Sequence, residues 1–374
     1  MKRFALAWIL LALSLGAAAQ TLTPPPIAAR AYFLVDLLSG TTLAAANDTD
    51  RVEPASLTKL MTSYVVFDAI KNGKLDPAGT IPVSPAAAKA PGARMFLEAG
   101  TPAKVAEVIT GMVVQSGNDA AIALAEAVAG SQEAFVALMN REAERLHLNG
   151  THFVNPTGEP AVGHYSTARD LSILAASLIR DFPDRYALYS QREFSYNHIT
   201  QANRNRLLWT DPTVDGMKTG FTEAAGYCLV ASAKRGPRRL LSVVLGAPSD
   251  GLRTSESQKL LNFGFQAYET RLLYRKGAAV GSSGVFRGTQ SRVSLGFDHD
   301  IWLTLPRDRF TGLEAQLETR QPFIAPLAAG QKAGIMKLTR DNAKVAEIPV
   351  VALEDVPVAG FLSRGWDTLR LLLR

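Results

Sequence analysis

The chain has 374 residues, of which 47% are hydrophobic and 20% charged, a composition that excludes disorder or a fibrous repeat and allows two to three domains. Lys and Arg number 40 against 34 Asp and Glu, and a net charge of +6 on a chain this long does not by itself argue for nucleic acid. One cysteine, Cys228, excludes an internal disulfide and a multi-cysteine zinc site.

Lys2 and Arg3 precede a short apolar run, Phe4 through Leu15, which gives way to Gly16-Ala17-Ala18-Ala19. This is the pattern of a secretory signal over residues 1–19, with cleavage before Gln20. The alternative, an uncleaved membrane span, is disfavoured because the apolar core is shorter than the ~20 residues a bilayer needs. A lone cysteine outside the cytoplasm is expected to be a small buried hydrophobe.

Residues 20–27, with Thr23-Pro24-Pro25-Pro26, form a stiff lead-in. Ala31–Asp36 and Thr41–Ala45 read as strands around a turn at Ser39-Gly40. Helical signals dominate from 59 to 190: Leu60–Ile70 is apolar on most sides and reads as a core helix. Val105–Val114 and Ala120–Val128 follow, with Asp119 as the expected N-cap of the second, then Thr167–Ile179. Strand signals return at Tyr227–Ala233 and Leu240–Leu245, a hairpin about Arg235-Gly236-Pro237-Arg238, and Ser257–Tyr268 is again helical. Residues 28–272 therefore predict an α/β (α+β) domain in which terminal strands pair in one antiparallel sheet covered by helices. Short alternating runs from Val293 to Val351 predict a small all-β domain over 273–355. The last segment, 356–374, carries an amphipathic helix at Phe361–Arg374, with Trp366 and leucines on one arc and Arg364, Arg370 and Arg374 opposite, suited to lying in a membrane interface.

Three short motifs carry the chemistry. Ser56-Leu57-Thr58-Lys59 leads into the first core helix, so the hydroxyl and the amine share a face. Serine needs a base, and lysine serves only when burial or nearby positive charge keeps it neutral. Ser116-Gly117-Asn118 lies 60 residues beyond Ser56 in an interhelical turn, and Lys218-Thr219-Gly220 lies 102 residues beyond Ser116, before the strand at Tyr227. Each tripeptide alone is weak. In this order and spacing they match the S-x-x-K, S-x-N and K-T-G set of penicillin-binding proteins and class A β-lactamases.

Here the sequence resembles the low-molecular-mass penicillin-binding proteins, the periplasmic D-alanyl-D-alanine carboxypeptidases. The likeness extends to Pro54-Ala55-Ser56-Leu57-Thr58-Lys59-Leu60-Met61-Thr62, Gln115-Ser116-Gly117-Asn118-Asp119-Ala120, Asn203-Arg204-Asn205 and Val214-Asp215-Gly216-Met217-Lys218-Thr219-Gly220, and covers about 28 to 374. It implies a serine-type carboxypeptidase that removes the terminal D-alanine of a peptidoglycan stem peptide, is inhibited by β-lactams, needs no cofactor or metal, and sits in the periplasm with its tail on the inner membrane. It implies that Ser56 is the nucleophile, Lys59 its base and Ser116 a proton relay to the leaving D-alanine. Asn118 holds the lysine and the substrate amide, and Lys218 keeps the field positive. Thr219 and Arg204 bind the terminal carboxylate, Gly220 lies in the substrate-binding segment, and the N–H groups of Ser56 and Phe221 form the oxyanion hole. Phe221 stands where many relatives carry histidine, and the loop around Ala86–Arg94 looks compact; both bear on deacylation.

Four rivals remain to be tested. A Ser-His-Asp hydrolase lacks its G-x-S-x-G elbow here, and the five histidines, His147, His152, His164, His198 and His299, read as loop or surface residues. A class A β-lactamase needs a glutamate where Arg145-Leu146-His147-Leu148-Asn149 has arginine, Glu144 and Glu159 being off register. A DD-endopeptidase shares all three motifs and differs in substrate bulk. A silent peptidoglycan-binding scaffold is countered by the joint presence of Ser56, Lys59, Ser116 and Lys218.

Overall fold

The computed structural model describes residues 22–319 and 321–360. The signal segment 1–19 and the helix expected at Phe361–Arg374 lie outside the described residues.

Five antiparallel strands form the first sheet: β1 (Ala31–Asp36), β2 (Thr42–Ala46), β3 (Val214–Thr222), β4 (Gly226–Arg235) and β5 (Arg238–Ala247), in the order β2-β1-β5-β4-β3. The chain leaves the sheet after β2, builds the helices and returns to it, as the separation of the strand signals predicts, but it returns through β3, one strand ahead of the return expected at Tyr227. β1 pairs with β5 from Ala31 opposite Leu245 to Asp36 opposite Leu240.

Side chains alternate across the pleat, so the strands feed two cores. Phe33, Cys228, Val230, Leu241, Val243 and Leu245 face the helical layer. That layer contains α1 (Lys59–Lys71), α2 (Val105–Val114), α3 (Asn118–Ala129), α4 (Gln132–Arg145) and α5 (Ala168–Asp181). Leu34, Leu229, Leu240 and Val244 face the other way, onto Leu260, Leu261 and Phe265 of α6 (Asp250–Ala267). Cys228 is fully buried, and desolvation pushes its thiol up to about 11.

Several boundaries move from the sequence reading. The K-T-G triplet lies inside β3, with Lys218 opposite Val230 and Gly220 opposite Cys228, not ahead of a strand. Asp119 is not the N-cap of α3; Gly117 is. The Asp119 carboxylate instead accepts from the N–H groups of Met95 and Leu97, both at 3.0 Å, and so pins the loop before α2. The helix expected at Ser257–Tyr268 begins seven residues earlier at Asp250, capped by Ser249, and ends at Ala267 where a strand starts. A hairpin, Glu193–Tyr196 with Ile199–Ala202, carries no strand signal strong enough to read because half of it is exposed and polar.

The β-domain starts at β6 (Tyr268–Tyr274) and includes β7 (Ala279–Phe286), β8 (Arg292–Gly296), β9 (Ile301–Pro306), β10 (Leu313–Thr319), β11 (Phe323–Ile324), β12 (Lys332–Arg340) and β13 (Ala343–Ala352). β6 pairs with β9, and the remainder form a six-stranded sheet ordered β10-β12-β13-β8-β7-β11 around Val293, Leu295, Phe297, Leu338 and Val350. Its end also moves: Val356 bridges to Leu327 and Val358 to Gly288, so residues 356–358 pair within this domain rather than opening the tail.

Candidate active site

Ser56 sits in a 3-10 turn, Ala55–Thr58, that runs straight into α1. Ala55 takes a left-handed φ of +47°, which turns the chain sharply before the serine. The turn packs on the edge strand β3 at Gly220, where a Cβ would come within 3.1 Å of the Pro54 carbonyl oxygen and 3.2 Å of Ala55 Cβ. Glycine at 220 is thus what lets β3 lie against the serine turn. Thr58 is held from behind by buried His164, whose Nδ1 accepts from the Val154 N–H, leaving Nε2 to meet Thr58 Oγ1 at 2.8 Å. Burial pushes His164 down to about 4, so it is a neutral structural residue; the other four histidines are exposed, as expected, and this one is not.

Lys59 is 1% exposed. Its Nζ lies 3.0 Å from Ser56 Oγ, 2.6 Å from Asn118 Oδ1 and 2.6 Å from the Thr157 carbonyl oxygen. Desolvation lowers its pKa from 10.5 to about 7, with the Glu159 charge opposing and the Arg204 charge assisting. A neutral amine has two N–H donors and one lone pair. Two acceptors and one hydroxyl proton match that set.

Ser116 reaches the same cleft from the turn before α3, with φ +64°. Lys218, on β3, donates to Ser116 Oγ at 2.8 Å and to the Thr219 carbonyl oxygen at 3.0 Å. Burial and the nearby Lys59 charge push Lys218 well below its usual range.

Ser56, Ser116, Asn118, Arg204, Thr219, Gly220 and Phe221 line one cleft of about 420 Å³, and Lys59 and Lys218 lie just beneath it. Every site residue expected from the sequence thus converges here. Arg204 is exposed and makes no hydrogen bond or ion pair among the described residues, and Phe221 stacks on Tyr227 with centroids 4.3 Å apart and stays 44% exposed. The compact loop after Ala86 closes one wall: Gly92 and Ala93 line the cleft, and the Pro91 and Ala93 carbonyl oxygens accept from Asn118.

Sequence reasoning missed Glu159, Tyr227, Asp250 and Arg253, which also line the cleft. Glu159 accepts from Asn118 Nδ2 at 2.7 Å. It belongs to Asn155-Pro156-Thr157-Gly158-Glu159, whose Asn-Pro and Thr-Gly pairs signal a turn but not its place beside the serine. Asn155 Oδ1 ties this turn together by accepting from the N–H groups of Thr157 and Gly158. Arg253 of α6, 5% exposed, donates to the Gly220 carbonyl oxygen at 3.1 Å and pairs with Asp250. Nothing in its surroundings along the chain marks it.

A five-stranded antiparallel sheet with a helical layer, an S-x-x-K turn against a K-T-G edge strand and an S-x-N turn opposite define the penicillin-binding class of serine peptidases. Comparison with known proteins makes this specific. Residues 18–249 match the family described as D-alanyl-D-alanine carboxypeptidase, and residues 268–358 match the C-terminal domain of penicillin-binding protein 5. The chain belongs to the D-alanyl-D-alanine carboxypeptidase family, and its activity is that of a D-alanyl-D-alanine carboxypeptidase. It is 43% identical over 359 residues to D-alanyl-D-alanine carboxypeptidase DacC of Escherichia coli strain K12, covering 94% of this chain and 90% of that one. Penicillin-binding protein 5 from Haemophilus influenzae superposes with a TM-score of 0.87 at 40% identity, covering 90% of this chain and 99% of that chain. Penicillin-binding protein D2 from Listeria monocytogenes, solved in an ampicillin-bound form, matches with a TM-score of 0.59 at 29% identity over 64% of this chain and 98% of that chain.

Proposed function

We propose that the carboxypeptidase reaction runs through an acyl-enzyme on Ser56, with Lys59 as base. The observation that carries this reading is the Lys59 amine, buried, lowered to about 7 and 3.0 Å from the Ser56 hydroxyl. Lys59 takes the Ser56 proton as Oγ attacks the carbonyl between two D-alanines of a peptidoglycan stem peptide. The N–H groups of Ser56 and Phe221 receive the oxyanion, a kind of contact worth about 3 kcal/mol per donor. Asn118 keeps the lysine in place and binds the substrate amide. As the C–N bond breaks, Ser116, held by Lys218 at 2.8 Å, gives its proton to the departing amine and regains one from protonated Lys59, which returns to the neutral amine. Lys218 keeps the field of the pocket positive, and Thr219 and Arg204 receive the terminal carboxylate. Water then attacks the ester, Lys59 taking its proton and returning it to Ser56 Oγ as the acyl–oxygen bond breaks, and the shortened peptide departs as the acid. β-Lactams enter the same cleft and acylate Ser56.

The test is mass spectrometry of a pentapeptide ending in D-Ala-D-Ala, alongside intact-mass detection of a penicillin adduct. Release of one D-alanine and formation of the adduct, both lost in Ser56→Ala, are expected; a Ser56→Ala enzyme that still releases D-alanine would end the reading. A cross-linked dimer assayed in parallel measures endopeptidase activity.

The chain works in the periplasm, on the reading that residues 1–19 are a cleaved signal and that Phe361–Arg374 lies on the inner-membrane surface. Among the described residues no single helix is long and apolar enough to cross a membrane. Deleting Phe361–Arg374 is expected to release the protein from sedimented membranes.

A further inference from the structure

The reaction proposed above leaves Glu159 without a part, although it lines the cleft with Ser56. Its backbone is fixed at both ends: Asn155 Nδ2 donates to the Glu159 carbonyl oxygen at 2.8 Å, and the Glu159 N–H donates to Thr157 Oγ1 at 3.2 Å. Its Oε1 accepts from Asn118 Nδ2 at 2.7 Å. Gly92 makes room for this contact. A Cβ there would stand 2.9 Å from Asn118 Nδ2 and 3.0 Å from Glu159 Oε1.

Both N–H donors of the Asn118 side chain are taken. Its Oδ1 accepts from Lys59, and Nδ2 donates to the Pro91 carbonyl oxygen and to Glu159, each at 2.7 Å. A primary amide has two N–H donors and no third. An acyl donor whose amide carbonyl is to bind Asn118 must therefore displace one of the two acceptors. The Pro91 carbonyl is backbone in a loop that Asn118 also grips through its own N–H, bonded to the Ala93 carbonyl oxygen at 2.6 Å. The Glu159 carboxylate ends a side chain that is only half-buried and faces the cleft, so it can swing into water.

Resting on the acyl-enzyme reading above, we propose that Glu159 occupies the Asn118 hydrogen-bond position that the acyl donor's amide carbonyl takes, so that substrate enters by exchange. Glu159 is then a specificity-determining residue. It slows acylation by donors that carry an acylamide, because a carboxylate is a stronger acceptor than the amide carbonyl replacing it. A purely supporting role predicts the reverse, a loss of rate on its removal. The carboxylate also sets a negative charge near Lys59, but its effect through that base is common to every acyl donor and cancels in a ratio of rates.

The experiment measures second-order acylation of the full chain by benzylpenicillin, which carries an acylamide, and by the penicillin nucleus with a free amine in its place. The proteins are wild type, Glu159→Ala and Glu159→Gln. In Glu159→Ala the ratio of the two rate constants, benzylpenicillin over nucleus, is expected to rise about fivefold, the size of one net hydrogen bond. Glu159→Gln keeps a neutral acceptor and a near-identical shape, and should show a smaller rise of about twofold. An unchanged or lowered ratio in both variants overturns the exchange. If Glu159→Ala does not fold, the Gln ratio decides alone. Wild type that benzylpenicillin fails to acylate would overturn the acyl-enzyme reading itself, which the variant ratio does not address.

Discussion

The two domains treat buried polarity in opposite ways. In the β-domain the buried polar side chains among the described residues are the hydroxyls of Ser283 and Thr304. The catalytic domain buries Lys59, Lys218, Asp119, Arg253 and Glu256. A lysine lowered from 10.5 to about 7 represents on the order of 5 kcal/mol of destabilisation. The sign follows from proton binding: the unfolded chain holds the Lys59 proton between about 7 and 10.5 and the folded one does not, so raising pH through that window stabilises the fold. Below about 7 the cost is present in full. Ala55, Phe96 and Ser116 add left-handed backbone around the cleft. The β-domain works as ordinary packing, and the cleft is where stability is given up for reactive geometry.

Changes at the amine should produce the largest effects. On the acyl-enzyme reading, Lys59→Gln leaves Ser56 without its base and is expected to slow penicillin acylation by about 10²–10⁴-fold. Wild-type acylation should fall about tenfold per pH unit below a midpoint near 7, because the base must be unprotonated. Stopped-flow acylation from pH 5 to 9 checks both; a flat profile would remove Lys59 from the role. Ser116→Ala comes next, at about 10²-fold, since it removes the hydroxyl that Lys218 holds at 2.8 Å while leaving the Ser56–Lys59 pair intact.

The same contrast explains what could be read from the chain alone. Four strands of the first sheet and the helices α1, α2, α3 and α5 were legible in their apolar runs, and α1 is buried on nearly every side; β3, which carries two glycines, a lysine and two threonines, and α4, whose exposed face is charged, were not. That the motif serines and lysines meet in one cleft was legible because the proposed chemistry demands those residue types together. Glu159 and Arg253 were not, because each enters the cleft through a contact made across the fold, from Glu159 to Asn118 and from Arg253 to Gly220. The misplaced start of α6 has a local cause: its first turn is Asp250-Gly251-Leu252-Arg253, polar with a glycine, and only the Ser249 cap marks it. In the β-domain, β6 and β7 are half-exposed strands with weak alternation, which is why their signals did not stand out.

Gly158 tests the catalytic domain's reliance on close approach. At φ +87° a side chain is strained, and a Cβ would sit 1.8 Å from the Ala55 carbonyl oxygen, inside backbone that cannot yield without moving the serine turn. Gly158→Ala is expected to destabilise the domain by about 3 kcal/mol, the scale of an overpacked site. Chemical denaturation measures the loss, and acylation of the surviving folded protein should be slowed as well. A neutral result would mean that the Asn155–Glu159 turn and the serine turn are not in the tight contact described.

The smallest expected effect lies at the seam between the domains. Asp36, fully buried at the end of β1, accepts from Arg238 Nε at 2.6 Å and from Thr270 Oγ1 of β6 at 2.6 Å. Thr270 Oγ1 also meets Thr304 Oγ1 at 2.8 Å, and Thr304 meets Ser39 Oγ at 2.6 Å, so a chain of hydroxyls runs from one domain to the other. Thr270→Val keeps the shape of the side chain and removes one donor, while Arg238 still neutralises the carboxylate and Ser39 still serves Thr304. A loss of about 1 kcal/mol in stability follows from one net hydrogen bond. The penicillin acylation rate should stay within about twofold, because the residues lining the cleft all precede β6. Denaturation and labelling of the same preparation decide the matter: a fall in acylation well beyond the fall in stability would show that the β-domain tunes the cleft through this seam, and the separation of roles drawn between the two regions would no longer hold.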